Sequence, residues 1–357
     1  LGFFLFFAFF LFFSNKSIIF VFIFNSPSVQ HSKNRSTIMK KYFFFYILLL
    51  LPIIGIAQTY KYIGVEDGLS NRRVYAIQKG PKGYMWFLTH DGIDRYNGKE
   101  FKPYKLMDGD EEVNSMMNLN WLYVDSKGTI WEIGKKGRVF RYDTKHDRFV
   151  LVYKLPESEV KGRPTPISYG FVDANSVIWL CNEDALYLYD SNTQKVTFIQ
   201  NEIGERITDI AQIDSTHFFI GTDIGIHYAE LANNTLTLSP CNQLEIQINE
   251  LYYHKPSHKV FIGTFQRGIF TYDLNEHKVM HIPSGLMDVS INCIRAYNNN
   301  EILIATDGAG VYKINTDTYE SIPYIVADYN RYNSMNGNTI NDIYIDSEQR
   351  IWMANYP

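Results

Sequence analysis

The chain has 357 residues, 34 of them basic and 38 acidic, and a formal net charge of −4, as expected for a folded, slightly acidic protein. The charges are unevenly spread: residues 1–57 hold five basic residues, no acidic residue and 14 of the 25 phenylalanines, which leaves a net charge of −9 on residues 58–357. This balance argues against nucleic acid as a partner, because a phosphate-binding surface needs a basic stripe. The many aromatic and aliphatic residues of the same segment exclude a disordered chain.

The sequence around the first methionine, Met39, has the pattern of a secretory signal peptide. Two lysines follow Met39, an apolar run extends over residues 42–56, and small residues precede a predicted cleavage site after Ala57. We therefore predict that residues 39–57 are a signal peptide and that the protein is exported. An uncleaved anchor is the alternative, but this run is shorter than the roughly 20 residues that a spanning helix needs.

Residues 1–38 precede Met39 and alternate phenylalanine-rich runs with serine and asparagine. We interpret them as upstream sequence translated past the true start, and not as a domain. The alternative is an additional membrane segment that is interrupted at residues 14–17. Neither interpretation makes these residues part of the fold predicted below.

Three cysteines follow the signal peptide: Cys181, Cys241 and Cys293. Their odd number and wide spacing fit neither a disulfide framework nor a metal site. We predict small, buried side chains at these positions, and we expect no metal and no cofactor.

A repeat of about 43 residues organises residues 58–357. One recurring position holds a large apolar side chain, which is tryptophan in four of the seven copies. Its members are Trp86, Trp131, Trp179, Phe219, Phe261, Leu303 and Trp352. An aliphatic residue lies 12 or 13 positions before each of them, from Val74 to Ile340, and an acid or amide recurs further on, from Asn97 to Asn315.

Each repeat has the pattern of four short β-strands separated by turn-forming residues, and no segment has sustained helical periodicity. The sequence therefore predicts an all-β fold, a seven-bladed β-propeller of four-stranded antiparallel blades in which the last blade is incomplete at the C-terminus. We predict that residues 58–63 form the fourth strand of this last blade. We also interpret the chain as the amino-terminal piece of a longer protein. We expect the tryptophan line between neighbouring blades and the acid or amide line in turns, where it accepts hydrogen bonds from backbone amides.

Two segments of the first repeat carry a family resemblance. Residues 65–77 read VEDGLSNRRVYAI and residues 83–98 read GYMWFLTHDGIDRYNG. Both resemble the opening of the two-component regulator propeller, which forms the ectodomain of hybrid two-component sensor histidine kinases. The resemblance covers residues 58–357, although the sixth repeat departs from it at Leu303 and Ile314, and the fourth at Ala229.

The resemblance implies a periplasmic ligand-sensing region, with an oligosaccharide as the expected ligand. It also implies a parent histidine kinase anchored in the inner membrane, whose remaining ectodomain and second copy in a homodimer would be partners. This chain has neither a phosphoacceptor-histidine segment nor a nucleotide-binding glycine motif. We therefore predict that it is not itself an enzyme.

Candidate ligand-binding residues lie between the second and third strands of the repeats. In a four-stranded antiparallel blade, this loop opens on the same face as the connection between blades. Phe265, Gln266 and Arg267 together offer an aromatic surface and planar polar groups, which suit a sugar. The other candidates are His90, Asp91, Lys135, Lys136, Asp223 and Asp307. The alternative is that these side chains are solvated or bond to their own turns.

Two other functions remain open. Propeller glycosidases and lyases use paired carboxylates or a Tyr/His pair in the central funnel, where His90, Asp91, Asp223 and Asp307 would lie. However, the histidines are scattered, and the sequence contains no metal-binding spacing and no nucleophile elbow. The other alternative is a scaffold for protein–protein interaction, which would present a flat face without a ligand site.

Overall fold

The computed structural model describes residues 11–14, 17–20, 60–113, 121–156, 166–241, 244–328, 330 and 334–356. The chain divides into two compact units, Leu1–Thr59 and Tyr60–Pro357. In the first unit, β1 (Leu11–Ser14) and β2 (Ser17–Phe20) form a two-stranded antiparallel sheet. The signal peptide predicted at residues 39–57 lies outside the described residues and stays a prediction.

Six four-stranded antiparallel sheets make up most of the second unit, and the strands of each sheet follow one another in chain order. The first three blades contain β3 (Val74–Lys79), β4 (Met85–Thr89), β5 (Gly92–Tyr96) and β6 (Phe101–Tyr104); β9 (Trp121–Val124), β10 (Ile130–Ile133), β11 (Arg138–Asp143) and β12 (Arg148–Lys154); and β13 (Tyr169–Val172), β14 (Val177–Cys181), β15 (Ala185–Asp190) and β16 (Lys195–Gln200). A short hairpin, β7 (Met107–Asp108) and β8 (Glu111–Glu112), lies between the first two.

The next three blades have the same order. They contain β17 (Ile207–Gln212), β18 (His217–Thr222), β19 (Ile226–Ala232) and β20 (Thr235–Pro240); β21 (Ile248–His254), β22 (Lys259–Thr264), β23 (Arg267–Asp273) and β24 (Lys278–Met287); and β25 (Ile291–Asn298), β26 (Glu301–Thr306), β27 (Val311–Asn315) and β28 (Ser321–Ile325). The helical elements of the described residues are two single 3₁₀ turns, Val65–Asp67 and Lys255–Ser257. No helix in this part of the chain is long and apolar enough to cross a membrane.

The all-β propeller prediction is confirmed, but the prediction of seven blades is wrong. The seventh repeat forms a two-stranded sheet of β29 (Thr339–Ile345) and β30 (Ile351–Tyr356), so the described residues form six blades. The repeat supplies only these two strands, and residues 60–63, the described part of the predicted fourth strand, are not in a strand. β29 contacts β25 of the sixth blade and β3 of the first, and thus lies between the two ends of the series.

The tryptophan line lies on the second strands and packs against the following sheet. The ring of Trp86 lies 4.8 Å from that of Tyr142 and 5.8 Å from that of Phe149, both in the second blade. Trp179 contacts Phe218 of the fourth blade in the same way, at 4.7 Å. Burial of such rings stabilises each junction by about 2–3 kcal/mol, so hydrophobic packing joins consecutive blades.

The acid or amide after the third strand occupies a turn, as predicted. Its side-chain oxygen accepts hydrogen bonds from the backbone amides two and three residues later in five of the blades. These residues are Asn97, Asp143, Asp190, Asp273 and Asn315. The repeat therefore encodes its tight turns as well as its core.

Candidate functional site

The loops between second and third strands share one face of the propeller, here called the loop face. In four blades, the backbone amide of a loop residue donates to a carbonyl just before the first strand of the same blade. The pairs are His90–Arg73 (3.0 Å), Asp223–Arg206 (3.1 Å), Phe265–Gln247 (3.1 Å) and Asp307–Ser290 (2.9 Å). Loops and inter-blade connections therefore meet on this face, as strand parity requires.

The polar candidates of the first blade, His90 and Asp91, form hydrogen bonds within that blade and the segment that precedes it. The Nδ1 atom of His90 lies 3.4 Å from the hydroxyl of Tyr75, and Asp91 accepts a hydrogen bond of 2.9 Å from Nδ2 of Asn71. These contacts connect the loop to the segment that enters the blade. They hold the loop in place and leave less of each group available to a ligand.

Asp223 and Asp307 are engaged in a similar way. Asp223 accepts a hydrogen bond from the backbone amide of Arg206 at 3.2 Å and lies 3.5 Å from its Nε. Asp307 accepts from Oγ1 of Thr339 at 3.0 Å, which connects the sixth blade to the two-stranded sheet. The structure therefore places both carboxylates in connections between chain segments.

Lys135 and Lys136 lie in the corresponding loop of the second blade, between Gly134 and Gly137. Lys135 is exposed and Lys136 is half-buried. The carbonyl of Lys135 accepts a hydrogen bond of 2.7 Å from the amide of Ile167, which precedes the third blade. Here the backbone forms the connection between blades, and the two cationic side chains remain at the surface.

Phe265, Gln266 and Arg267 form the most open of the predicted loops. Phe265 is 46% exposed, Gln266 has a left-handed backbone with φ of 54°, and the amide of Arg267 donates to Oγ1 of Thr264 at 3.2 Å. Two further exposed apolar side chains lie on this face: Ile224 in the loop of the fourth blade, and Met287 paired in register with Arg267. All three residues of this loop are exposed, and they offer an aromatic, an amide and a cationic group.

A second polar feature, which the sequence analysis missed, lies on the first strands of the blades. The hydroxyl of Tyr123 lies 3.3 Å from that of Tyr169, and Tyr169 donates to the carboxylate of Asp209. Asp209 in turn accepts a hydrogen bond from the backbone amide of Leu251 in the fifth blade. These groups connect the second, third, fourth and fifth blades through their first strands.

The connection continues through charged groups. Arg295 of the sixth blade donates to Glu250 of the fifth at 2.6 Å and to Asp342 of β29 at 3.0 Å. Asp342 also accepts the backbone amide of Ile77 in the first blade at 2.8 Å. We call Tyr123, Tyr169, Asp209, Glu250, Arg295 and Asp342 the inner polar ring.

A recurring β-bulge places the acidic members of the ring. The register of β17 shifts between Ile207 and Asp209, and that of β21 shifts between Ile248 and Glu250. The same shift occurs at the start of β3 and β25. A bulge redirects the side chain that follows it. Tyr169, Asp209, Glu250 and Asp342 all lie two residues after the aliphatic position of the repeat, so this register position was the signal in the sequence.

Burial and mutual charge set the protonation of the ring. Burial raises the pKa of the Asp209 carboxyl well above its usual range, and the nearby charge of Glu250 raises it further. Burial also raises the pKa of Glu250, against the opposing charge of Arg295. Burial lowers the pKa of Arg295, but the charges of neighbouring acidic groups, including Asp342, outweigh this effect and raise it. Burial therefore favours the protonated form of Asp209.

The inner polar ring is chiefly structural, because its hydrogen bonds connect neighbouring blades. The oxygens of Asp209 and Asp342 already accept several hydrogen bonds, including those from the amides of Ile210 and Ile343. The side chain of Arg295 is 36% exposed, whereas that of Asp342 is only 7% exposed. Arg295 is thus the charged group of the ring that is most accessible to a small molecule.

The described residues contain no cluster of His, Cys, Asp or Glu side chains that could hold a metal ion. The three cysteines are unpaired, with Cys181 and Cys293 buried and Cys241 partly buried. Burial raises the pKa of the Cys241 thiol to about 11 and raises those of the other two as well. The thiols therefore stay protonated at neutral pH, which makes them poor nucleophiles.

No family model and no curated protein matches this chain, but solved structures do. The extracellular domain of the hybrid two-component system BT4673 from B. thetaiotaomicron is 20% identical, with a TM-score of 0.65 over 83% of this chain and 38% of that chain. That of BT3049 from the same organism is 20% identical, with a TM-score of 0.66 over 84% and 40%. A streptogramin B lyase is 16% identical, with a TM-score of 0.62 over 80% and 92%.

These likenesses establish a shared β-propeller fold. The resemblance seen in the sequence is confirmed to the extent that these structural neighbours include the extracellular domains of hybrid two-component sensors. This chain spans about two fifths of the length of those domains. A lyase shares the architecture as well, and the fold by itself does not decide between sensing and catalysis.

Proposed function

We propose that the propeller is a ligand-sensing domain of a periplasmic receptor of the hybrid two-component type, and that its ligand is an oligosaccharide. The observation that carries this proposal is the match of more than four fifths of the chain to two sensor ectodomains. The residue-level resemblance of the first blade supports it independently. On this proposal the remainder of the receptor, in a homodimer, passes the binding event across the membrane.

The loop of Phe265, Gln266 and Arg267 is the part of the loop face best suited to a sugar. The exposed ring of Phe265 can stack on a pyranose, and the amide and guanidinium groups can bond to neighbouring hydroxyls in pairs. The carboxylates of the other loops already accept hydrogen bonds from neighbouring residues, as Asp91, Asp223 and Asp307 do. The loop of Phe265 is therefore a stronger candidate than those loops. We accordingly place the sugar-binding centre at the fifth blade.

Calorimetric titration of the full chain with a panel of neutral oligosaccharides tests the proposal. Binding of at least one member, weakened by Phe265→Ala, is the expected result. Phe198→Ala is a matched control, because Phe198 is also an exposed aromatic residue, at 56%, but lies on the fourth strand of the third blade. The absence of any response to the panel would favour a protein-interaction scaffold instead.

Catalysis is the second candidate, because a lyase shares the architecture over most of both chains. The same titration distinguishes sensing from catalysis when the oligosaccharide is recovered afterwards and analysed by mass spectrometry. Recovery of the intact oligosaccharide supports sensing. Cleaved products would support a glycosidase or lyase, with His90, Asp91, Asp223 and Asp307 as the first residues to substitute.

A further inference from the structure

The fourth strand of each blade is the outer edge of its sheet, and natural proteins protect such edges from pairing with another chain. In four of the six blades this strand contains a proline, which has no backbone amide to donate to a further strand. These prolines are Pro103 in β6, Pro240 in β20, Pro283 in β24 and Pro323 in β28. The fourth strands of the second and third blades, β12 and β16, lack a proline.

The edge of β12 is protected in other ways. Lys154 at its end forms an ion pair of 2.8 Å with Asp108 of β7, and β7 contacts β12. Arg148 begins the strand, so antiparallel pairing of β12 with its own copy would bring Arg148 opposite Lys154. Like charges at opposite positions destabilise a strand pair. β12 is therefore a poor edge for a second copy of the chain.

The edge of β16 has neither protection and presents apolar side chains. Phe198 is 56% exposed and Val196 is 39% exposed, and both lie on the same face of the strand because side chains alternate. The ring of Tyr187, on the neighbouring strand, lies 5.5 Å from that of Phe198. Within the described part of the chain, no strand pairs with the outer edge of β16. Such an edge is suited to the addition of another strand.

The backbone of β16 determines which residues can bond to an added strand. The amide of Asn201, just after β16, donates to the carbonyl of Asp184 at 3.0 Å, next to the ladder between β16 and β15. Hydrogen bonds of an antiparallel ladder alternate along each strand, so every second residue of β16 bonds to β15 and the others point away. The residues that point away are Val196, Phe198 and Gln200. The outward backbone groups therefore belong to the same residues as the exposed apolar side chains.

We propose that two copies of this chain pair through β16 in antiparallel orientation, which joins their third blades into one continuous sheet. With Phe198 opposite Phe198 of the second copy, the outward amide and carbonyl groups of both strands are in register. Val196 then lies opposite Gln200 of the second copy. The contact has two-fold symmetry, as most homodimer interfaces do. Directly opposite aromatic residues add to the stability of the strand pair.

The charges at the two ends of β16 suit this antiparallel arrangement. Lys195 is exposed at the start of the strand, and Asp184 and Glu202 are exposed near its end. In the pair, the basic end of one copy lies beside the acidic end of the other, and symmetry repeats this at the second end. No like charges are opposed, in contrast to β12. The contact needs no ligand and does not rest on the proposed sensing function.

Sedimentation equilibrium of the full chain tests for this dimer, at concentrations up to about 100 μM because a contact through one strand pair is small. We expect an equilibrium between monomer and dimer. Val196→Lys places a charge on the edge and should weaken the dimer at least about tenfold. Met280→Lys is the matched control, because Met280 is an apolar residue, 41% exposed, on the fourth strand of the fifth blade. It should leave the dimer unchanged.

Oxidative cross-linking tests the register of the strand pair. Phe198→Cys places two thiols at directly opposite positions, where a Cα separation of about 5.5 Å allows a disulfide. We expect a cross-linked dimer on a non-reducing gel for Phe198→Cys and none for Met280→Cys. The unmodified chain gives the background from the natural cysteines, of which two are buried and one is partly buried.

A chain that stays monomeric at every concentration would overturn the proposal and leave a strand of another protein as the occupant of this edge. A dimer that Val196→Lys and Met280→Lys weaken equally would overturn it too, because the contact would then lie elsewhere. Should Val196→Lys fail to fold, the Phe198→Cys variant decides. Absence of its cross-link under conditions in which the chain is dimeric would refute pairing through β16.

Discussion

Arg295 of the sixth blade donates a hydrogen bond of 3.0 Å to Asp342 of the two-stranded sheet. The other oxygen of Asp342 accepts the amide of Ile77 in the first blade at 2.8 Å. A single carboxylate thus connects the last blade, the two-stranded sheet and the first blade. The contacts of the buried Asp342 carboxylate therefore join the two ends of the series in addition to apolar packing.

We predict that Asp342→Ala destabilises the protein by about 3–5 kcal/mol, because it leaves Arg295 without one partner and the amide of Ile77 without its acceptor. Urea denaturation followed by circular dichroism measures the change. Asp307→Ala is the control: Asp307 also contacts the two-stranded sheet, through Thr339, but it is exposed. It should cost less than about 1 kcal/mol. Equal effects of the two substitutions would show that the inner contact has no special part in closure.

The stability of the protein should fall as pH rises above about 4, through Asp209. The pKa of Asp209 is raised in the folded state above its ordinary value of 3.8, so the folded state holds the proton more tightly than the unfolded state does. This stabilisation is complete below the unfolded pKa and is lost as pH rises toward the folded pKa. The maximum slope is about 1.4 kcal/mol per pH unit for one proton.

Asp209→Asn should reduce that slope, because the amide is neutral at every pH. Denaturation midpoints measured between pH 4 and pH 8 give the comparison, and Asp307→Asn is the exposed control that should retain the slope of the unmodified chain. Identical slopes in the chain with and without Asp209→Asn would contradict the raised pKa.

Close packing between the fifth and sixth blades should make Gly263 intolerant of substitution. A Cβ on Gly263 would lie 2.5 Å from Cγ2 of Ile291, the first residue of β25. We predict that Gly263→Ala destabilises the fold by about 1–3 kcal/mol through overpacking. In an Ile291→Gly background, which removes both Cγ2 and the Cβ atom that would lie 2.8 Å away, the same substitution should cost much less. A cost that is independent of the residue at 291 would refute the close contact.

The sequence predicted the features that are local to one repeat. The spacing of Trp86 and its equivalents gave the period, and residues such as Asp143 and Asp273 were predicted in turns where they accept backbone amides. The number of blades does not depend on one repeat alone. The described part of the last repeat supplies only β29 and β30, and a four-stranded blade would need two further strands from elsewhere in the chain. Residues 60–63, the described part of the predicted fourth strand, do not form a strand.

The candidate site shows the same difference between features local to one repeat and features that depend on tertiary contacts. Strand parity was enough to place the loop of Phe265 and that of Asp223 on one face. It did not show that Asp223 is already bonded to Arg206, since that contact depends on tertiary geometry. The acids of the inner polar ring share one register position, but the pairing of Glu250 and Asp342 with Arg295 follows from bulges and from the approach of neighbouring blades.

Binding of an oligosaccharide at the fifth blade is the central claim, and calorimetric titration of the full chain and its Phe265→Ala variant tests it most directly. We predict that at least one neutral oligosaccharide binds, that it is recovered intact, and that Phe265→Ala weakens its affinity about tenfold while Phe198→Ala leaves it unchanged. An affinity equally reduced by both substitutions, or no binding to the unmodified chain, would contradict the claim.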